Sequence, residues 1–172
     1  MTGKTMFVGG ARSGKSRLAL ATAERHAGSL HYLATAEIGD EEMAERIAMH
    51  RAERNAQWRT VECPFDLPEE IAAISSGAIL VDCLTLWLSN LMLGGHPIER
   101  RSDDLMAAIA ATPLPLVIVT NEVGLGIVPA HPLGRTFRDA AGRLNQKVAT
   151  GMDAAYFVVS GMVLPLQKFA QR

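Results

Sequence analysis

The sequence has little cysteine and almost no net charge. Its two cysteines, Cys63 and Cys83, belong to no CxxC pair, so neither a disulfide framework nor a zinc site is supported. Lysine and arginine total 17 against 18 for aspartate and glutamate, and a formal net charge of -1 gives no overall basic field to hold a nucleic-acid backbone. We therefore predict two buried thiols and no nucleic-acid partner.

The sequence also lacks a hydrophobic run long enough to cross a bilayer. Its longest apolar stretch, residues 78–93, is interrupted by Asp82, Ser89 and Asn90 and falls short of the roughly 20 residues that a spanning helix needs. Near the N-terminus a short apolar run leads directly into two glycines, without the apolar segment of a secretory signal. We therefore expect no membrane span and a cytoplasmic location.

Length and composition are those of one globular domain. A chain of 172 residues, with 48% hydrophobic and 20% charged residues, is near the commonest domain size and is not disordered in composition, so we predict a single domain over residues 1–172. Short β-rich runs alternate with longer segments of helical period, which predicts an α/β fold. The predicted strands are 5–9, 30–34, 58–62, 78–82, 116–120 and 155–160. The predicted helices are 15–27, 40–55, 67–75, 84–93, 102–111 and 134–150, on both faces of a mostly parallel sheet.

The strongest motif is a phosphate-binding loop of the pattern GxxxxGK[ST]. It follows an apolar strand and precedes a helix, where backbone N–H groups can surround a phosphate. Lys15 can bridge the phosphates of a nucleoside triphosphate, and the Ser16 hydroxyl can bind Mg²⁺. The motif consists of Gly9, Gly10, Ala11, Arg12, Ser13, Gly14, Lys15 and Ser16.

Two carboxylates follow predicted strands on the side of the sheet where parallel-sheet sites lie. Asp82 ends an apolar strand and can reach a Mg²⁺ ion held by Ser16, although it can also cap the helix that begins at Leu84. Glu122 follows the next strand along the chain and either positions a nucleophile or anchors its loop. Either carboxylate is a candidate general base for phosphoryl transfer.

A histidine in the predicted helix 40–55 has two interpretations. His50 shares a face with Met43 and Ile47, which is typical of a packed histidine. Nearby arginines at Arg46 and Arg51 would also hold a polyphosphate, beside which a neutral imidazole can attack an α-phosphate. Spacing alone leaves both interpretations open.

These motifs together resemble the bifunctional adenosylcobinamide kinase / adenosylcobinamide-phosphate guanylyltransferase family of cobalamin biosynthesis. The resemblance covers nearly the whole chain and rests on sequence blocks in a fixed order: GGARSGKS, YLATAE, DEEMAERIAMHRAER, WRTVE, LVDCLTLWLSNL, VTNEVGLGIVP and LGRTFRDAAGRLNQKVA. It implies a RecA-like P-loop NTPase fold, with ATP, GTP and Mg²⁺ as cofactors. It also implies phosphorylation of adenosylcobinamide, followed by transfer of GMP from GTP, and assembly as a homotrimer.

The resemblance also implies roles for individual residues. The family's covalent GMP-histidine corresponds to the histidine of RIxxHR, which is His50 here, so His50 and Lys15 become the expected catalytic residues. Ser16 and Asp82 remain the expected metal ligands. The implied nucleotide contacts outside the phosphate loop are Ala34, Thr35, Ala36, Arg51, Ala52, Glu53, Arg54, Glu62 and Asp82.

Two other functions are compatible with the phosphate loop alone. A small-molecule kinase would use His50 only structurally, and a motor-type RecA-like NTPase would couple hydrolysis to a partner. The motor interpretation predicts a longer chain or nucleic-acid-binding loops, and neither is seen in a sequence of this length and charge. Covalent labelling by α-labelled GTP separates the bifunctional transferase from both.

Overall fold

A computed structural model describes residues 3–37 and 57–168, which form one seven-stranded sheet of order β3-β2-β4-β5-β1-β6-β7. All pairs are parallel except β6 with β7, which is antiparallel. The predicted α/β class with a mostly parallel sheet is therefore confirmed. The strands are β1 Lys4–Gly9, β2 Leu30–Ala34, β3 Trp58–Glu62, β4 Ala78–Asp82, β5 Leu116–Asn121, β6 Ala154–Val159 and β7 Met162–Leu166.

Within the described residues, five helices accompany the sheet. They are α1 Lys15–Ala23, α2 Leu67–Ala73, α3 Leu84–Leu93, α4 Ile98–Ala111 and α5 Pro132–Thr150. The predicted helix 40–55 lies outside the described residues. Within the described part of the chain, no helix combines the length and hydropathy needed to cross a membrane. Most predicted boundaries are right to within a few residues, but α4 begins earlier than expected because Pro97 occupies its N-cap position and does not interrupt the helix.

The helices lie on both faces of the sheet, and each face has its own core. Because side chains alternate along a strand, neighbouring residues of the central strands point to opposite faces. One face packs against α1 through Phe7, Leu80 and Val117. The other packs against α3, α4 and α5 through Val8, Val81 and Ile118. Cys63 and Cys83 are buried and free, as predicted.

The seventh strand was not predicted from the sequence. Met162–Leu166 contains Pro165, and a proline within an apolar run argues against a strand because it cannot donate to a neighbouring strand. β7 is the edge of the sheet, where proline is tolerated, and it pairs with β6 on its inner side only. The sequence pattern was misleading at this position because it does not reveal which strand is the edge.

Arg101 of α4 joins this helix to α2 and to the loop before it. Its guanidinium donates to both carboxylate oxygens of Glu69, at 2.6 and 2.7 Å, and to the backbone oxygen of Phe65 at 2.9 Å. The hydrogen bond from Arg101 lowers the pKa of Glu69. The Arg101 side chain is 16% exposed and that of Glu69 is 56% exposed, so the guanidinium is shielded from water while the carboxylate is not.

We predict that Arg101→Gln lowers the free energy of unfolding by about 1–3 kcal/mol at pH 7, because the Phe65 oxygen and the Glu69 carboxylate lose a charged donor. The pKa of Glu69 is lowered, so the stabilisation that its ionised carboxylate contributes is complete above the ordinary value of 4.5. That contribution is lost as pH falls through the lowered pKa. Urea unfolding at neutral and acid pH measures both effects. Lys147→Gln removes an exposed pair with Asp103 and should change stability by less than about 1 kcal/mol at either pH.

Candidate active site

The phosphate loop connects the end of β1 to the start of α1 and is held closely against β6. A Cβ atom at Gly9 would lie 2.2 Å from the backbone oxygen of Val158, so only glycine fits between these strands. Gly14 has φ +97°, a left-handed conformation that favours glycine, and it turns the chain into the helix that begins at Lys15. The predicted strand–loop–helix arrangement is confirmed.

The β6–β7 turn forms a second contact with this loop. Val159 pairs with Met162, and the two residues between them, Ser160 and Gly161, both have positive φ, as a two-residue type I′ turn requires. The Gly161 N–H donates to the backbone oxygen of Ser13 at 2.9 Å. Sequence reasoning missed this contact, because nothing in the motif indicates that the last hairpin reaches it.

Lys15 carries its ammonium group into the loop. The residue is 6% exposed, and its Nζ donates to the backbone oxygen of Gly10 at 2.5 Å and lies 3.4 Å from the Ser13 hydroxyl. Burial lowers the pKa of Lys15, and the nearby Cys83 and Asp82 groups oppose part of that shift. A bound phosphate would supply the negative charge that this cation lacks in the free protein.

Asp82 and the phosphate loop come from strands that are not neighbours. β5 lies between β1 and β4, so at about 4.8 Å per strand the two strand ends are about 10 Å apart. The Asp82 carboxylate is nevertheless near enough for its negative charge to oppose part of the lowering of the Lys15 pKa by burial. Its Oδ2 atom accepts a hydrogen bond of 2.9 Å from the Tyr32 hydroxyl, a contact that sequence reasoning did not find.

Three of the predicted nucleotide contacts lie in one row across the sheet. Ala34 of β2 pairs with Glu62 of β3 on one side and with Asp82 of β4 on the other. Glu62 is therefore four strands from β1, at about 19 Å, and is exposed at the end of its strand. This separation suits a contact to a nucleoside or to a second substrate better than a contact to the phosphates at Lys15.

The polar atoms of Thr35 are occupied by contacts within the protein. Its hydroxyl accepts from the Cys83 N–H at 2.8 Å and donates to the Cys83 oxygen at 2.7 Å, while its own N–H donates to the Asp82 oxygen. Asn90 donates to the Thr35 oxygen at 2.7 Å. These hydrogen bonds of Thr35 thus fix the backbone that follows Asp82 at this end of the sheet.

A second polar network fixes the end of β5. The Thr120 hydroxyl donates to Oδ1 of Asn145 at 2.7 Å, and Asn145 in turn donates to the Asn121 oxygen at 3.1 Å. The Asn121 N–H donates to the Thr85 hydroxyl, and the Glu122 N–H donates to the Gly9 oxygen at 3.0 Å. Glu122 therefore begins a loop directly beside the phosphate loop, although its carboxylate binds the N–H of Gly124 in this structure.

The histidine and arginines of the predicted helix 40–55 fall on a segment that the structure does not describe. His50, Arg51, Ala52, Glu53 and Arg54 lie outside the described residues, together with the rest of the segment 38–56. Their roles remain predictions from the sequence. The described site therefore comprises the phosphate loop, Asp82, Glu122 and the row that ends at Glu62.

The residues present fit a magnesium ion held largely by substrate. Asp82 and Ser16 offer a carboxylate and a hydroxyl, which are hard oxygen donors. In residues 3–37 and 57–168 no group of three or more histidine, cysteine, aspartate or glutamate side chains could hold a metal alone. This composition suits Mg²⁺, which commonly keeps phosphate and water oxygens beside one or two protein ligands.

Comparison with known proteins identifies the family of the chain. A family model described as cobinamide kinase / cobinamide phosphate guanyltransferase matches residues 5–166. The bifunctional adenosylcobalamin biosynthesis protein CobP of Pseudomonas aeruginosa is 42% identical over 168 residues, which cover 95% of this chain and 97% of that protein. The corresponding protein CobU of Salmonella typhimurium is 45% identical over 174 residues, covering 91% and 96%.

Among solved structures, an ATPase from the type III secretion system of pathogenic bacteria has a similar fold. It superposes with a TM-score of 0.54 at 11% sequence identity, covering 96% of this chain and 57% of that one. At this identity the likeness concerns the fold alone, and it supports the predicted α/β fold with a mostly parallel sheet.

We predict that Lys15→Met stabilises the nucleotide-free protein while abolishing nucleotide binding. Burial lowers the pKa of Lys15, so its charged form is less favourable in the folded than in the unfolded chain at pH 7, and removing the charge should raise the free energy of unfolding. Thermal unfolding should show a higher melting temperature for the variant than for the wild type. The further rise that GTP gives the wild type should disappear.

Arg17→Met is the matched control, because Arg17 is an exposed cation of the same helix. It should change stability by less than about 0.5 kcal/mol and keep the GTP-dependent rise. A lower melting temperature for Lys15→Met than for the wild type would contradict a costly buried charge.

Proposed function

The chain belongs to the cobinamide kinase / cobinamide phosphate guanyltransferase family, and we propose that one phosphate loop serves both of its reactions. The protein is a bifunctional enzyme of adenosylcobalamin biosynthesis. Lys15 is the single buried lysine or arginine of the described residues, and its ammonium group lies in the phosphate loop. This observation supports a shared loop. Because both reactions begin with a nucleoside triphosphate, both need this charge.

In the kinase reaction, the hydroxyl of the adenosylcobinamide side chain attacks the γ-phosphorus of a nucleoside triphosphate, ATP or GTP. The bond to the β-phosphate oxygen breaks, and that oxygen keeps the electron pair as the nucleoside diphosphate leaves. Lys15 and the N–H groups of the loop stabilise the charge on the phosphate oxygens. The acceptor's proton passes to Glu122, whose N–H contacts Gly9, or to Asp82 at the end of β4.

In the guanylyl transfer, a ring nitrogen of His50 attacks the α-phosphorus of GTP. A P–N bond forms and the bond to the pyrophosphate oxygen breaks, so pyrophosphate leaves with the electron pair. The phosphate of adenosylcobinamide phosphate then attacks the same phosphorus, the P–N bond breaks, and adenosylcobinamide-GDP is released. Two displacements replace one, and the imidazole is regenerated.

We propose further nucleotide contacts at Ala34 and Ala36, at residues 51–54 and at Glu62. Support for Glu62 and Ala34 comes from their common row with Asp82 at the end of the sheet. When bound at Ser16 and Asp82, Mg²⁺ would neutralise phosphate charge during both reactions. We also propose that residues 1–172 form one transferase domain and that the enzyme works in the cytoplasm, where nucleoside triphosphates are supplied.

We predict that His50→Asn separates the two activities. Phosphorylation of adenosylcobinamide should fall less than about threefold, because it needs no nitrogen nucleophile, whereas formation of adenosylcobinamide-GDP should drop by more than about 1,000-fold. Incubation with α-labelled GTP, followed by mass spectrometry of the protein, should locate GMP on His50 in the wild type and find no adduct in the variant. Kinase assays with γ-labelled ATP or GTP also identify the preferred phosphate donor.

His26→Asn is the control, because His26 follows α1 and is distant in sequence from the RIxxHR block. It should retain both activities and the adduct. An adduct that persists in His50→Asn would refute the assignment, and loss of both activities in that variant would show a role beyond nucleophilic attack.

We also propose that the enzyme is a homotrimer, as its resemblance to the family implies. One apolar surface that supports association is the hairpin face: Val159, Met162, Leu164 and Leu166 lie on the same side of β6 and β7 by register. Their side chains are exposed, Met162 at 66% and Leu164 at 55%. An exposed apolar face of this kind on an edge strand is typical of a protein–protein contact.

We predict that Leu164→Lys dissociates the trimer, because it places a charge in the middle of the hairpin face. Light scattering coupled to size-exclusion chromatography should give a trimer for the wild type and a monomer for this variant. Val163→Lys, at the adjacent residue on the opposite side of the strand, should remain trimeric. A monomeric wild type would refute the proposed assembly, and a trimeric Leu164→Lys would exclude the hairpin face as its contact.

A further inference from the structure

We propose that Tyr32 is a positioning residue for the reactions, because its hydroxyl orients the Asp82 carboxylate toward the metal. This inference rests on the proposed role of Asp82 as a magnesium ligand. Its central observation is the 2.9 Å hydrogen bond that the Tyr32 hydroxyl donates to Oδ2 of Asp82. A hydrogen bond to a carboxylate is stronger than one between neutral groups, so it can fix the orientation of the side chain.

The sheet register brings the two residues together. Tyr32 of β2 pairs directly with Leu80 of β4, and Asp82 lies two residues further along on the same face. The hydroxyl therefore reaches forward from the middle of one strand to the end of the next. A tyrosine is long enough for this diagonal contact, whereas phenylalanine would fill the same space without the donor.

The ring of Tyr32 is itself held in place. The residue is 5% exposed, and its ring packs edge to face on Trp58 at a centroid distance of 6.1 Å and an interplanar angle of 84°. The Trp58 indole N–H donates to Glu24 after α1, at 3.2 Å. A buried ring fixed on one side by another aromatic residue has little rotational freedom, so its hydroxyl is a rigid donor.

Asp82 is therefore fixed at two levels. Thr35 holds the backbone N–H and the backbone oxygen of Cys83, the residue that follows Asp82. Tyr32 holds the side chain of Asp82. The Tyr32 hydroxyl donates to Oδ2, so the other carboxylate oxygen, Oδ1, is the one that we propose for the cation. A carboxylate oriented before substrate arrives loses less entropy when it binds the metal.

The test measures how strongly Mg²⁺ improves nucleotide binding, which does not depend on turnover. Calorimetric titration with GDP, in excess Mg²⁺ and again in EDTA, gives two dissociation constants whose ratio is the magnesium effect. For Tyr32→Phe we expect this ratio to fall about tenfold, the change that one charge-assisted hydrogen bond can produce, with unchanged affinity in EDTA. Asp82→Asn should lower the ratio at least as much, and adding Tyr32→Phe to Asp82→Asn should change it no further.

Tyr156→Phe is the matched control, because it removes a hydroxyl from the same sheet face but β5 and β1 separate its strand from β4. It should leave the ratio unchanged. A reduced ratio in Asp82→Asn but not in Tyr32→Phe would refute the positioning role and leave the metal role intact. An unchanged ratio in both would refute the metal role of Asp82. Equal weakening by Tyr32→Phe with and without Mg²⁺ would show that the hydroxyl acts structurally.

A spectroscopic measurement tests the same contact without removing it. The chain contains two tyrosines, so 3-fluorotyrosine incorporated into Tyr156→Phe labels Tyr32 alone. Adding Mg²⁺ to the GDP complex should shift the ¹⁹F resonance, because a metal on Asp82 draws electron density from the oxygen that accepts the hydrogen bond. The shift should vanish in Asp82→Asn. A resonance that does not respond to Mg²⁺ in the labelled protein with Asp82 intact would overturn the proposal.

Discussion

The described site is organised around a largely buried positive charge. Lys15 is almost fully buried, and in the free protein it is stabilised by one backbone oxygen, one hydroxyl and the more distant Asp82 carboxylate. A cation so placed is costly to fold around, and its pKa falls for that reason. The phosphates of a nucleotide compensate this charge better than the protein does. The same uncompensated charge thus destabilises the free site and makes phosphate binding favourable.

The elements surrounding Lys15 explain why the imbalance persists. β5 separates the phosphate loop from Asp82, so the carboxylate stabilises the lysine without forming a close ion pair with it. The Thr35 and Asn145 networks hold the ends of β4 and β5 in place, which restrains Asp82 from moving toward the lysine. The protein thereby keeps room for phosphate and metal between groups of opposite sign. This is electrostatic preorganisation, obtained from buried neutral hydrogen bonds.

Much of the fold was predictable because the relevant signals are local. The phosphate loop, the apolar strand that ends at Asp82 and the helix that follows it are each encoded in a few consecutive residues, and the structure has them as predicted. The contacts that complete the site are long-range and leave no such signal. Tyr32 reads simply as a core residue of a strand, and Gly161 as part of an apolar tail, until the sheet order places them beside Asp82 and Ser13. Pro165 even argued against the strand that creates the second contact.

The hydrogen bond between Gly161 and Ser13 joins two segments that are far apart in the order of synthesis. The phosphate loop is translated before the turn that braces it, because that turn follows six of the seven strands along the chain. Contacts between such distant parts of a chain form late, because most of the intervening residues must be placed first. A nascent chain therefore exposes its nucleotide-binding motif well before that motif has its final support. The phosphate loop therefore reaches its final conformation only once the β6–β7 turn has formed against it.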